Sequence, residues 1–259
     1  MEVFGFDLTP MLPFIAIGFA AQLVDGALGM AFGVIANTAL LWLGIPPALA
    51  TSYVHVIKVF TGGVSGASHF LHGNIDWRLF FRLAGSGVVG GVAGAGLLSA
   101  LHLNDATFAR PYVLGYLTLV GIFILWKGIG LKVLLERKAT VVEPVGLVGG
   151  FLDATGGGGW GPVTTSNLLM QGNNPRMTVG TVNSSEFIVA IAVSITYILS
   201  LGIDSFPIAV IGLLAGGVLA APLGSWITKH VPARPMMIMV GALLVIISIF
   251  SILKHLKLV

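Results

Sequence analysis

Four charged residues of this chain, Asp25, Lys58, Asp153 and Glu186, stand well inside apolar stretches. A charged side chain at a bilayer centre costs about 2.5 to 3.5 kcal/mol on insertion scales, so such residues face a cavity or a partner and are functional candidates. His55 and Lys58 are three residues apart, as are Asn183 and Glu186, which puts each pair on one helical face. Thr51, four residues before His55, joins the first face. Lys58 is a candidate fixed positive charge for an anion, and Glu186 a candidate carrier of a coupling proton. The competing reading is a Lys58–Glu186 ion pair joining two helices. Asp25 and Asp153 read either as caps of helix ends or as ligands.

The aspartates open two glycine-rich segments, Asp25 to Gly33 and Asp153 to Pro162. Gly158-Gly159-Trp160-Gly161-Pro162 cannot be an ordinary helix interior, since each Gly costs about 1 kcal/mol against Ala and an internal Pro about 3. Pro162 suits the first turn of a restarting helix, with amides near Gly159 to Gly161 free to meet a ligand. A helix N-terminus attracts anions. Thr164, Thr165, Ser166 and Asn167 follow the break as possible oxyanion donors, although such side chains also bond their own helix. Candidate substrate-binding residues are Gly29, Gly33, Thr51, Ser52, His55, Lys58, Gly159, Gly161, Thr165, Asn183 and Ser184; Asp25, Asp153 and Glu186 are coupling or structural charges. Trp160 reads as a packing wedge. For Gly85, Gly87, Gly90, Gly91, Gly94 and Gly96 close helix packing is expected, and His69, His72, His102, His230 and His255 read as interfacial.

These positions are related by a single offset. Residues 25–76 align with 153–204 without a gap, giving eleven identities in 52 positions. Asp25 meets Asp153, Gly33 meets Gly161, Gly44 meets Gly172, Pro47 meets Pro175, His55 meets Asn183 and Lys58 meets Glu186. Gly90-Gly91 and Gly216-Gly217 are approximate counterparts, two residues out of register. Internal repeats with glycine-broken apolar segments belong to the secondary-transporter plan, in which substrate sits between the repeats near the midplane.

Hydrophobic residues form 56% of the 259-residue chain and charged residues only 9%, against roughly a quarter in soluble domains. The composition predicts an all-α integral membrane protein, since the ten-residue alternation of a membrane barrel is absent. Eight apolar segments are expected near 11–43, 48–71, 79–101, 111–131, 145–171, 177–201, 206–228 and 235–253. They form two homologous halves, 1–131 and 145–259, each opening with a Gly-broken or re-entrant helix. The charged connector 132–144 reads as the hinge between them. The first segment of each half, at 33 residues for Met11 to Leu43, exceeds the roughly 20 that one span requires. If it crosses, the halves run parallel; if it turns back, they are inverted; counts of basic residues do not settle the choice, and the inverted arrangement is the one expected.

No basic residue precedes the first apolar run, so a cleavable leader is not expected. Lys127, Lys132, Arg137 and Lys138 place the long connector in the cytoplasm by the positive-inside rule. The net charge of +3 sits in connectors and at segment ends and does not point to nucleic acid. With no cysteine, disulfides and thiolate ligands are excluded.

The Asp-x3-Gly-x3-Gly element near the start of each half, the Gly44-x2-Pro47 and Gly172-x2-Pro175 turns, Ala50-Thr51-Ser52 and the late glycine pairs together resemble the TauE/SafE sulfite and organosulfur-anion permeases. The resemblance spans nearly the whole chain. It implies a multi-pass permease of the cytoplasmic membrane that moves sulfite, a sulfonate or a similar small anion and needs no dissociable cofactor. The second half has Val179-Gly180 where the first has Thr51-Ser52, so the hydroxyls are not symmetric. The expected function is alternating-access transport of a small anion, with proton coupling as an option and the oligomeric state open. A passive channel, a membrane enzyme or an accessory subunit are the rival readings.

Overall fold

The computed structural model describes residues 2–3, 6–7, 9–28, 30–104, 109–130, 139–202 and 206–227; beyond these it describes residues 238, 241–242, 245–246, 249–250 and 252–253. Most of the connector's basic residues, the eighth apolar segment in large part, and His230 and His255 lie outside the described residues. So does the site candidate Gly29.

The described chain is helical apart from an antiparallel pairing of Glu2–Val3 with Phe6–Asp7. The first apolar segment divides into α1 (Leu12–Leu28) and α2 (Phe32–Trp42). Then come α3 (Pro47–Leu71), α4 (Trp77–Leu103) and α5 (Ala109–Gly130). The fifth segment divides likewise, into α6 (Glu143–Gly156) and, after a break, a π-helical turn Gly161–Thr165 that runs into α7 (Ser166–Met170). It is followed by α8 (Pro175–Leu201) and α9 (Ile208–Ile227).

The chain punctuates these helices locally. Pro47 and Pro175 occupy first turns, where a missing N–H costs nothing. Asp76 caps α4 by accepting from Leu79 N at 3.1 Å, and Asn174 caps α8 by accepting from the amides of Arg176 and Met177. Helices α2 and α7 end alike. In the first turn Leu43 N, Gly44 N and Ile45 N donate to Ala39 O, Leu41 O and Leu40 O; in the second Gln171 N, Gly172 N and Asn173 N donate to Asn167 O, Leu169 O and Leu168 O. Gly44 and Gly172 take φ of 87° and 93°, which an L side chain rarely adopts.

Glycines set the helix packing and reveal its direction. Gly212 lies against Met11 and Phe14, and Gly216 against Ile15 and Phe19, so α9 and α1 run parallel. Gly87 meets Gly150 while Gly94 meets Phe151 and Ala154, so α4 and α6 also run parallel. Gly62 faces Phe187, Gly66 faces Ser184, and the Asp76 amide donates to Thr181 Oγ1 at 2.9 Å, so α3 and α8 are antiparallel. The expected packing role holds for Gly87, Gly90, Gly91 and Gly94. It fails for Gly85 and Gly96, which have open space where a Cβ would go.

The described end of the connector is fastened to α7 and α4. Gln171 Oε1 accepts from Thr140 N and Val141 N, Asn173 Oδ1 accepts from Ala139 N, and Arg82 holds Glu143 through two hydrogen bonds. His69, expected at an interface with solvent, is instead buried at 3% exposure beside Asn74.

Candidate functional site

The two helix breaks are capped in the same way. Asp25 Oδ1 accepts from Phe32 N at 3.0 Å, seven residues on, and Asp153 Oδ1 accepts from Trp160 N at 3.1 Å, again seven residues on. In each case a buried carboxylate meets the positive end of the restarting helix, the role of an N-terminal anion. The amides of Phe32 and Trp160 are thus occupied. The breaks also press on one another. A Cβ at Gly33 would fall on the Gly157 carbonyl oxygen and 2.7 Å from Lys58 Nζ, while one at Gly158 would strike Val34. Asn37 Nδ2 donates to Gly156 O at 2.7 Å across the same junction.

Between the breaks lies a charge cluster drawn from four helices. Lys58 Nζ donates to Asp153 Oδ1 at 2.8 Å and Oδ2 at 3.1 Å, and pairs with Glu186 Oε1 at 2.9 Å. His55 Nε2 lies 3.1 Å from Asp153 Oδ2. His55 and Asp153 have no exposed surface, Lys58 is 4% exposed, and Asp25 and Glu186 are each 8% exposed. The Lys58–Glu186 pair weighed from the sequence is present, with Asp153 as a second carboxylate on the same ammonium. Leaving any of these charges without its counter-charge would cost about 3 to 5 kcal/mol.

His55 carries a proton-counting constraint. Its Nδ1 lies 2.8 Å from the Thr51 carbonyl oxygen, which only accepts, so Nδ1 holds its hydrogen. A hydrogen bond from Nε2 to a carboxylate then needs a second proton between the two groups.

The structure thus unites Asp25, Gly33, His55, Lys58, Asp153, Asn183 and Glu186. Others stand aside. Ser52 donates to Leu49 O and Ser184 to Gly180 O, each within its own helix. Thr51, Thr165, Gly159 and Gly161 are buried near the second break or the start of α3, and Thr51 Oγ1 has no hydrogen-bond partner. Trp160 is fully buried, donates Nε1 to Val182 O and packs on Gly87, which fits the wedge role.

Sequence reasoning did not reach Gln22, Thr61 and Ser65, which line a cavity beside Lys58, or Tyr116 and Tyr197, which abut Gly159 and Ala154. Helical spacing was the available signal. Gln22 precedes Asp25 by three, Thr61 follows Lys58 by three, and Ser65 follows Thr61 by four.

Among the described residues, four helical stretches, Thr9–Gly26, Trp77–Leu103, Pro111–Gly130 and Arg176–Leu201, are long and apolar enough to cross a membrane. A buried ionic cluster inside such a bundle defines the class of a membrane transport protein. The profile described as Sulfite exporter TauE/SafE matches residues 14–251, and the chain belongs to that family. It is 38% identical over 253 residues to a Bacillus subtilis (strain 168) protein described as "Probable membrane transporter protein YtnM", covering 95% of this chain and 83% of the relative. No solved structure matches it. The chain is a membrane transporter, not an enzyme.

Proposed function

We propose that this chain is a multi-pass secondary transporter of the cell membrane that moves a small oxyanion, sulfite or an organosulfonate, by alternating access of two inverted repeats, 1–131 and 145–259. The observation that carries the reading is the donor set around the Asp153 carboxylate: the Lys58 ammonium, the His55 imidazole and the Trp160 amide. An oxyanion needs that set. Asp153 fills it in this state, and the substrate takes its place on Lys58 and His55 when the breaks separate. The family description, Sulfite exporter, supports the choice of anion.

The repeat reading is supported by the matching caps, the matching turns at Gly44 and Gly172, and the exchange of helices, α1 on α9 and α6 on α4. The antiparallel contact of α3 with its register counterpart α8 supports inversion. Two like helices related by a two-fold axis across their length must enter the bilayer from opposite faces. The parallel packing of α1 on α9 supports reading the broken segment as a re-entrant hairpin in which α2 returns to the side where α1 began.

Charge also constrains coupling. Three carboxylates share the cluster with one lysine and one histidine, so with all three ionised the cluster is negative before an anion enters. Transport of an anion through it requires an accompanying cation, a proton on Glu186 being one form. Uptake of labelled sulfite into proteoliposomes tests the reading. The expected result is saturable uptake with counterflow, both lost in Lys58→Ala; unchanged flux and affinity in that variant refute the assignment of Lys58. A large single-channel current without counterflow would instead establish a passive channel.

A further inference from the structure

We infer that the cavity between α1, α3 and α8 is a binding site for a monovalent metal cation, with Na⁺ as its occupant, and that this ion is the coupling cation of the proposed anion transport. The cavity measures about 10 Å³, room for one water-sized particle or one dehydrated small ion. Oxygen-bearing side chains surround it: Gln22, Asp25, Thr61, Ser65, Asn183 and Glu186. Gln22 and Asn183 are each only 2% exposed, and Gln22 Oε1 and both polar atoms of the Asn183 amide have no hydrogen-bond partner. Buried polar atoms left in that condition cost about 1 to 3 kcal/mol each. A hard cation coordinated by the Gln22 and Asn183 amide oxygens satisfies both together, whereas a proton on a carboxylate supplies a single O–H and satisfies one of them at most.

The offset of 128 residues supplies an independent reason. Lys58 pairs with Asp153 on one side of the cluster. The positions equivalent to Lys58 and Asp153 are Glu186 and Asp25, two carboxylates that face the same cavity. One half therefore carries its cation covalently, as the Lys58 ammonium, and the other half has the Glu186 carboxylate where that ammonium would be. A mobile cation between Asp25 and Glu186 completes the missing pair and offsets the charge of the two carboxylates. Lys58 itself borders the cavity, but its charge is held by Asp153 and Glu186. Two carboxylates with amide and hydroxyl oxygens suit a hard monovalent ion better than a transition metal.

The coupling role rests on the anion-transport reading, whereas cation binding does not, and the test separates them. Purified full-length protein is titrated with NaCl against choline chloride at fixed pH and ionic strength, following the melting temperature and ²²Na⁺ binding. The inference predicts saturable Na⁺ stabilisation and stoichiometric binding, with apparent affinity weakened by about tenfold in Gln22→Ala and binding abolished in Glu186→Gln. Gln22→Ala leaves every ion pair in place, so it keeps the test valid if Glu186→Gln misfolds. Equal responses to Na⁺ and choline overturn the site, as does full Na⁺ binding by both variants. Sulfite uptake driven by a pH gradient, and indifferent to Na⁺, overturns the coupling role in favour of a proton on Glu186. Saturable Na⁺ binding without any sulfite flux upholds the site and removes the anion instead.

Discussion

At the residue scale the chemistry concentrates on Lys58, because one ammonium answers two carboxylates in a space that admits little water. Much of this was legible in the chain. Charges inside apolar stretches marked Asp25, Lys58, Asp153 and Glu186, and the register set Lys58 opposite Glu186. The Lys58–Asp153 contact was not legible, since it joins residues 95 apart through helices whose mutual packing no local pattern specifies. Gln22, Thr61 and Ser65 were hidden for another reason: uncharged polar side chains are common in membrane helices and bond their own backbone. Gly33 gives the sharpest residue-level prediction. Gly33→Ala should abolish sulfite uptake and lower the melting temperature, because its methyl group would strike the Gly157 carbonyl and the Lys58 ammonium. Wild-type flux in that variant would show that the two breaks do not press together as described.

At the element scale the deciding features are the helix ends. Glycine and proline positions predicted both breaks and both following turns, and the structure supplies the reason in the left-handed backbone of Gly44 and Gly172. A Cβ at Gly44 meets nothing within 4 Å, so that glycine serves conformation and not space. Gly44→Ala should therefore cost about 1 kcal/mol through backbone strain alone, read as a modest fall in melting temperature with flux retained. Gly90 is the opposite case. A Cβ there would fall on the Leu147 carbonyl, so Gly90→Leu should separate α4 from α6 and lose both fold and flux. The sequence foresaw packing at Gly90 but not open space at Gly85 and Gly96, because glycine alone does not reveal which helical face meets a neighbour. It likewise placed His69 with the interfacial histidines, where the bend between α3 and α4 in fact encloses it.

At the scale of the whole molecule, α1 packs on α9 and α6 on α4, so on the proposed repeat each half lends its first helix to the third segment of the other. That exchange ties the halves into one bundle and sets the charge cluster where they cross. The arrangement was only half legible, because the long first segment could be read as crossing or returning and basic residues discriminate poorly. The absence of native cysteine makes orientation directly measurable. Trp42 and Met170, equivalent in the register and both exposed, should label from opposite faces of the membrane as Trp42→Cys and Met170→Cys. Labelling from the same face would contradict inversion.

The central claim is that the buried ionic cluster is the transport site and not a structural clamp. It is tested most directly by sulfite uptake in the double variant Lys58→Met/Glu186→Gln, which removes one charge of each sign and, although it takes Lys58 from Asp153, leaves that carboxylate the His55 imidazole and the Trp160 amide as partners. Replacing a buried ion pair by neutral groups of similar size is often close to neutral for stability. The account predicts a protein that melts near the wild-type temperature and carries no sulfite. A stable double variant with wild-type uptake would contradict it.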